Sequence, residues 1–541
     1  MKCLQKTPLS FFYQSDNQKI LGNTSLGNGF SFVKKSVPTV WTWILWGALS
    51  ALAWSPFCAW WVLIWTWGAL VTGLYHSKTV KEAVSISWLW SFGWHSASVF
   101  WIGESLWAGS SRFAWFWPLC VTGIPAIFSC YFGIMGGILW WGKQKFWTSP
   151  SSFGMMWCVL YSVTEYLKGV LFTGFPWNLT AYIWSQNLWI AQSASLLSSY
   201  GLGLLTLLIL SYPSRFFLTY STKRSWWKGV VYMIIGLSAV SLWSIVRLRM
   251  TPTRFYQKNG IRLVQPNIPQ YEKQNAQRIF VNWNILCRLS DQESKVPITH
   301  VVWPETAVPF VVSEKQLDQV IPLARTRKKF AHLLSGILVS DAKKAFNSII
   351  QVTAEGDRKI VYKKQHLVPF GEYLPFRAVL SRVLPQWILN AVTPGERDID
   401  QEKKISASVR IFEGPPCIMK ICYEIIFPIF NADQKARWIL NITNDGWFGY
   451  SPGPFQHLAS AQFRAIETGL PVLRSANTGI SAVFDGMGRT LAILPLQHQG
   501  YIDTLLPMPV FSYCSHHNYI YAGILIIFTI CAFRRSFRDK L

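Results

Sequence analysis

The chain has 541 residues, 51% of them hydrophobic and 30 of them tryptophan, with only 14% charged, a balance that excludes an ordinary soluble domain. Its 51 lysines and arginines against 26 acidic residues leave a formal net charge of +25. The basic residues stand largely in short loops between apolar runs, which follows the positive-inside rule and speaks against nucleic acid as a partner. Ten cysteines occur without a CxxC pair or a Cys/His zinc spacing, so neither a metal site nor a disulfide framework is expected.

Residues 1–38 are polar and carry Lys2, Lys6, Lys19, Lys34 and Lys35 without an apolar core before a cleavage site. This segment reads as a cytoplasmic tail rather than a signal peptide. Apolar runs follow near 39–54, 57–75, 83–101, 114–140, 153–172, 188–211 and 228–246, with a last one near 518–533. A span needs roughly 20 apolar residues, so the pattern predicts about seven membrane helices within 39–247 and a final one at 518–533. Lys78 with Lys81, Lys143 with Lys145, and Arg215, Lys223, Arg224 and Lys228 fall in every second loop, and 534–541 is a basic tail. An even number of spans, about eight, then sets both termini in the cytoplasm. Arg247, Arg249 and Arg254 follow the seventh run and cut against this pattern.

The segment 259–508 consequently faces outside. It alternates β-rich runs with helical patterns. The runs are Ile261 to Val264, His300 to Trp303, Leu333 to Val339, Asn347 to Val352, Cys417 to Cys422 and Trp438 to Ile442. Helices are expected near 271–290, 314–328 and 454–468. Such alternation predicts an α/β domain of stacked sheets with helices outside. Functional groups in such domains gather at strand ends, where Glu305 and Cys422 stand.

A carboxylate, an amine and a thiol at the ends of apolar runs are the parts of nucleophilic acyl transfer. Cys422 closes the run Cys417-Ile418-Met419-Lys420-Ile421, and Tyr423-Glu424 brings polar groups to the same turn; the plain alternative is inert packing. Glu305 follows Pro304 on a rigid turn and can serve as general base, or be a surface acid. Lys363 and Lys364 are adjacent, so on a strand only one can face a site and stabilise an oxyanion there. Glu372 lies on a Pro/Gly-shaped turn and can orient that lysine. Trp447 and Phe448, on the turn Asn444-Asp445-Gly446-Trp447-Phe448-Gly449, can line an acyl-chain pocket or simply pack. Trp303, next to Pro304, is grouped with them as a substrate-lining residue.

These residues and their flanks resemble the carbon–nitrogen hydrolase (nitrilase) superfamily, whose members share a Glu-Lys-Cys triad on an αββα sandwich. The resemblance is closer to its membrane branch, the bacterial apolipoprotein N-acyltransferases. It rests on Tyr362-Lys363-Lys364-Gln365-His366-Leu367-Val368-Pro369-Phe370-Gly371-Glu372, on Asn444 to Gly449, on Arg474-Ser475-Ala476-Asn477-Thr478-Gly479-Ile480-Ser481, and on Glu165-Tyr166-Leu167-Lys168 with Gly174-Phe175-Pro176-Trp177-Asn178. It covers roughly 39–533. The N-terminal extension is longer and the first two spans more compact than the family pattern.

The fold this implies is a polytopic α-helical membrane bundle of about eight spans with an inserted nitrilase-like αββα sandwich at 259–508. Because the family lysine stands two positions before the histidine, the resemblance selects Lys364. It makes Glu305 the base, Cys422 the nucleophile and Glu372 the supporting carboxylate, with Tyr423, Glu424 and Trp447 near the site. The implied reaction takes an acyl group from a phospholipid, phosphatidylethanolamine, through a Cys422 thioester to the diacylglyceryl-cysteine amine of apolipoproteins. No cofactor is implied. The implied setting is a monomer in the bacterial inner membrane with its catalytic domain in the periplasm. The residues alone leave open a membrane-tethered amidase, since water and an amine are interchangeable second nucleophiles. A transporter with an outer ligand-binding domain is the remaining alternative, hinted at only by Glu165 and Lys168.

Overall fold

The computed structural model describes residues 39–538 apart from 110, 214–222, 274, 315–316, 318–331, 342–343, 354, 383–384, 386–398, 403–407, 412–413 and 431. The tail 1–38, Arg215 and most of the helix expected near 314–328 therefore lie outside the described residues.

The first half is helical, as its apolar runs dictate. Its main helices are α1 (Val40–Ser50), α2 (Val62–His76), α3 (Val80–Val99), α4 (Trp117–Lys145), α5 (Pro150–Val170), α6 (Ala194–Leu210) and α7 (Lys223–Met250). A backbone inside lipid must satisfy its own hydrogen bonds, and a helix does so within one segment. Among the described residues, Ala114–Lys145, Trp227–Met250 and His517–Arg535 are each long and apolar enough to cross a membrane. Val40–Ala53 and Ala194–Leu210 are apolar but shorter. The core of this half is aromatic, with Trp54, Trp67, Trp90, Trp94, Trp157 and Tyr161 packed in one cluster.

From Phe255 the period of the sequence changes and strands take over. They are β1 (Phe255–Gln265), β2 (Ile298–Val302), β3 (Val311–Ser313), β4 (His332–Asp341), β5 (Lys344–Thr353), β6 (Arg358–Lys363), β7 (Cys417–Ile421), β8 (Trp438–Thr443), β9 (Val472–Ala476), β10 (Ser481–Phe484), β11 (Thr490–Leu494) and β12 (Gly500–Pro507). Helices α8 (Ile279–Ser290) and α9 (Gly453–Thr468) interrupt them, and α10 (His517–Arg538) follows. A seven-stranded sheet runs β12-β1-β2-β4-β5-β6 with β3 beside β4, and a five-stranded sheet runs β11-β10-β9-β8-β7. β1, β2 and β4 are mutually parallel, as are β7, β8 and β9, so the ends that follow each strand gather at one edge.

Inward side chains of both sheets form one core, in which Leu263, Val302, Leu334 and Ile349 meet Met419, Ile421, Leu440 and Leu473. The outer face of the larger sheet packs on α8 through Val301, Leu333 and Leu286. The smaller sheet packs on α9, with Val472 and Ala482 against Ala461 and Ala465, and that cluster continues into Val99, Trp101 and Trp177 of the helical half. The order of layers is helix, sheet, sheet, helix, then the helical domain. Strand β6, strands β9 to β12 and the short β3 have no counterpart among the runs read from sequence. The helix expected over 271–290 is broken, and only Ile279–Ser290 forms its main part.

Candidate active site

Glu305 follows β2 by three residues and is held over β4 at a close approach of backbone to backbone. A Cβ at Gly336 would lie 2.6 Å from the Glu305 Cα and 2.6 Å from the Pro304 carbonyl oxygen, so only glycine fits there. Two reciprocal bonds lock the turn: Gly336 N donates to Pro304 O at 3.3 Å and Ala307 N to Gly336 O at 3.0 Å. The carboxylate then bridges the sheets. Its Oε1 accepts from Asn347 Nδ2 of β5 at 2.7 Å, and its Oε2 from the Asn444 backbone N–H beyond β8 at 2.8 Å. Burial raises the Glu305 pKa; Lys364 opposes the shift, Glu372 adds to it, and Asn347 and Lys273 lower it.

Alternation along β6 separates the two lysines as the two-residue period requires. Lys363 turns outward to Glu314 at 3.1 Å. Lys364 is buried, with its Nζ donating to Glu372 Oε1 at 2.9 Å and standing 3.7 Å from Glu305 Oε1. Burial opposes a charge here, but the carboxylates of Glu372 and Glu305 outweigh it and raise the lysine pKa. Glu372 is itself fixed by the Val368 N–H on its Oε2 at 2.8 Å.

Cys422 stands where β7 gives way to a tight helical turn, Cys422–Ile426. Its φ is +50°, a left-handed conformation that costs a non-glycine residue roughly 1–3 kcal/mol and survives only where the surroundings impose it. Those surroundings are on both sides. His457 of α9 sets its Nε2 3.1 Å from the Cys422 carbonyl oxygen and its Nδ1 2.9 Å from Asp445 Oδ1. Asp445 accepts from Arg474 Nη2 at 2.6 Å and from Thr443 Oγ1 at 2.9 Å. Burial alone would raise the Asp445 pKa, but Arg474 and His457 hold it well below the usual carboxylate range. On the other side, Glu424 accepts from Ile421 N, Gln365 N and His366 N at 2.8, 2.8 and 3.0 Å. The Tyr362 hydroxyl reaches both its oxygens, at 3.0 and 2.9 Å. Glu424 thus ties the lysine loop to the cysteine turn.

Burial, with the Glu305 carboxylate adding to it, pushes the Cys422 thiol well up, and Lys364 opposes the shift. A thiol so placed is not a preformed thiolate and needs a base at the moment of attack.

Glu305, Lys364, Cys422 and Glu372 converge, Glu424 stands behind them between the lysine loop and the cysteine turn, and Tyr423 leaves the cluster to donate from its hydroxyl to the Gly174 carbonyl at 2.8 Å. Phe448 packs on Trp101 and Trp177, at ring separations of 4.6 and 5.9 Å, and Trp447 beside it is half-buried. Trp303 departs from its expected place. Its ring is buried in the layer between the larger sheet and α8, edge-on to Trp283, and its Nε1 donates to Ser290 Oγ at 2.8 Å. It is core packing behind the Glu305 turn, because burial under α8 satisfies both its apolar area and its one donor. Asn347 and His457 were not legible as site residues; Asn347 sits in an apolar strand run, and the only signal for His457 is its polarity among the small residues of α9.

The fold and this cluster define a carbon–nitrogen hydrolase-type domain built onto a helical membrane domain. Two family patterns divide the chain in the same way, carbon-nitrogen hydrolase over residues 260–510 and apolipoprotein N-acyltransferase N-terminal domain over residues 46–212. An apolipoprotein N-acyltransferase of Rhodopseudomonas palustris is 34% identical over 89% of this chain and 92% of its own. Those of Bradyrhizobium diazoefficiens and Agrobacterium fabrum are 33% and 31% identical over 86% and 95% of this chain, and 88% and 98% of their own. The chain belongs to the apolipoprotein N-acyltransferase family. A solved carbon–nitrogen hydrolase superfamily protein from Xanthomonas campestris covers 50% of this chain and 96% of its own at 17% identity with a TM-score of 0.31, a likeness too slight to add to the sheet topology.

Proposed function

We propose that this chain moves an acyl group from a membrane phospholipid to the α-amine of the diacylglyceryl-cysteine at the N-terminus of an apolipoprotein, through a thioester on Cys422. The observation that carries this reading is the buried convergence of the Glu305 carboxylate, the Lys364 ammonium and the Cys422 thiol, in a chain whose family bears that name.

In the first half, Glu305 takes the thiol proton as Cys422 Sγ attacks the carbonyl carbon of the sn-1 ester. The developing oxyanion lies against the Lys364 ammonium, which Glu372 keeps charged and aimed. Collapse breaks the ester C–O bond, and the leaving lysophospholipid oxygen takes the proton from Glu305. In the second half, the lipoprotein amine attacks the thioester carbonyl and gives a proton to Glu305. The C–S bond then breaks, and that proton returns to Cys422 sulfur. Ester and amine have become alcohol and amide with no other reactant. Glu424 and Tyr423 hold the turn, and Trp447 and Phe448 lie along the acyl chain.

In this reading residues 39–247 and 518–533 are the membrane part and 259–508 the catalytic part. Counting α1 to α7 and α10 as crossing gives about eight spans, of which α1, α2 and α6 are each shorter than the roughly 20 residues of a full span. The loop lysines and arginines favour cytoplasmic termini and a catalytic domain on the periplasmic side of a bacterial inner membrane. In this reading phosphatidylethanolamine is the donor and the chain acts as a monomer.

The test uses the full-length chain in detergent or proteoliposomes with phosphatidylethanolamine carrying a radioactive sn-1 acyl chain. A hydroxylamine-sensitive label on the protein, absent from Cys422→Ala, is expected. Adding a diacylated lipopeptide should discharge the label and yield a triacylated product by mass spectrometry. Label persisting in Cys422→Ala, or release of free fatty acid alone, would overturn the reading.

A further inference from the structure

The three arginines that break the charge pattern, Arg247, Arg249 and Arg254, cluster where the chain leaves the helical domain through α7 for β1. The chain returns past the same point, from β12 to α10. Between the two crossings lies an open cavity of about 560 Å³, lined by Trp243, Arg247, Met250, Arg254, Phe511 and Tyr513 among others. Two large apolar side chains stand open on its walls, Met250 at 78% and Phe511 at 73% exposure. None of the lining residues belongs to the Glu305–Lys364–Cys422 cluster.

The two guanidinium groups differ in their ties. Arg247 donates to Gln192 Oε1 and, at 3.0 Å, to the Phe511 carbonyl. Arg254 is joined by its backbone, with Met508 N donating to its carbonyl at 2.7 Å. Among the described residues neither forms an ion pair with a carboxylate. The neighbouring acid is already used. Asp485 Oδ2 accepts from Arg489 Nη1 at 2.9 Å and Thr253 Oγ1 at 2.5 Å, while its Oδ1 accepts from Met487 N and Arg489 N at 2.9 Å each.

We infer that this cavity binds an anionic phospholipid, its phosphate between Arg247 and Arg254 and an acyl chain along Trp243 and Met250 at the end of α7. Exposed apolar side chains beside cations at a membrane-helix end match the boundary between acyl chain and headgroup. The committed carboxylate explains the charge preference. Among the described lining residues an ethanolamine ammonium finds no free acid, whereas a glycerol headgroup needs none. A cationic cluster on the outer side opposes the orientation signal of the other loops, and a bound lipid anion offsets that. The inference rests on α7 lying in the membrane and is independent of the chemistry at Cys422.

The experiment is native mass spectrometry of the full-length chain in detergent, titrated with phosphatidylglycerol, phosphatidylethanolamine or diacylglycerol of identical acyl chains. The wild-type chain should retain phosphatidylglycerol through collisional activation that strips the other two. Arg254→Gln is expected to weaken that retention roughly fivefold, and Arg247→Gln with Arg254→Gln roughly thirtyfold. Among the described residues the Arg254 side chain forms no hydrogen bond or ion pair, so the single variant should still form the thioester at Cys422, which shows that it is folded. Equal retention of phosphatidylglycerol by wild type and Arg254→Gln would overturn the proposal. So would displacement of the lipid by inorganic phosphate at the same concentration, which would mark a site for the free anion.

Discussion

Two neighbouring lysines of one chemical type have opposite surroundings. Lys363 sits over the Phe346 ring and faces Glu314 at the surface, whereas Lys364 is buried between two carboxylates. Replacing Lys364 by alanine should slow acyl transfer on the order of a hundredfold to a thousandfold, because an aimed charge at a developing oxyanion is lost. The same change at Lys363 should stay within about twofold. Rates of thioester formation with labelled phospholipid check both. Glu305 carries a pH prediction. Attack needs its carboxylate ionised, and burial raises its pKa, so the acid limb of the pH–rate profile should lie above the ordinary glutamate value of about 4.3. Asn347 donates to the ionised form, so Asn347→Ala should raise the pKa further and move that limb to higher pH. An unmoved limb would show that Asn347 does not act on Glu305. The choice of Lys364 was legible in sequence because side chains alternate on a strand and the histidine two positions on marks the family lysine. Asn347 was not legible, because a polar residue in an apolar strand run has the same local pattern whether it meets solvent or a buried carboxylate.

The turn Cys422–Ile426 is held in a strained conformation by β7, which leads into it, and by β6, the loop after β6 and α9, which lie elsewhere in the sequence. Glu424 collects donors from β6, from the loop after β6 and from β7, and so clasps the lysine loop to the cysteine turn. Glu424→Ala would leave several buried N–H groups without acceptors and should cost about 3–5 kcal/mol. Melting temperature and thioester formation are then expected to fall together, whereas Lys364→Ala should lose activity with a smaller change in stability. A Glu424→Ala chain with wild-type stability would refute the clasp.

Helix α9 is buried between the smaller sheet and the helical domain, and its polar residues join the two. Gln456 accepts from Trp101 and Trp177 at 3.1 and 2.7 Å and donates to the Ser98 carbonyl at 3.1 Å. Arg464 reaches Tyr182 and the Ile426 carbonyl, and Glu467 accepts from Ser199 N at 2.7 Å. The Tyr423 hydroxyl, one residue past the nucleophile, donates to the Gly174 carbonyl at 2.8 Å and ties the cysteine turn to the helical domain. Gly174 has φ +83°, and a Cβ there would stand 2.1 Å from the Gly169 carbonyl, so Gly174→Ala must displace the loop. Acyl transfer is expected to fall at least tenfold or so in Gly174→Ala, since a small misplacement of reacting groups is costly. Tyr423→Phe, which removes one hydrogen bond, should cost less. Full activity in Gly174→Ala would mean that the helical domain does not position the cysteine turn.

The sequence by itself determined what local rules can carry: apolar runs long enough to become helices, the order Glu305, Lys364, Cys422, and the opposed faces of two adjacent lysines. Only the tertiary structure decided the rest. It gave Glu305 its partners from both sheets, turned Trp303 into packing under α8, made Glu424 a clasp and set Arg247 and Arg254 around one cavity. The physical reason is distance along the chain. Helical period and strand alternation act over a few residues, whereas His457 reaches Cys422 and Asn444 reaches Glu305 through sheet register and layer packing that no local pattern encodes.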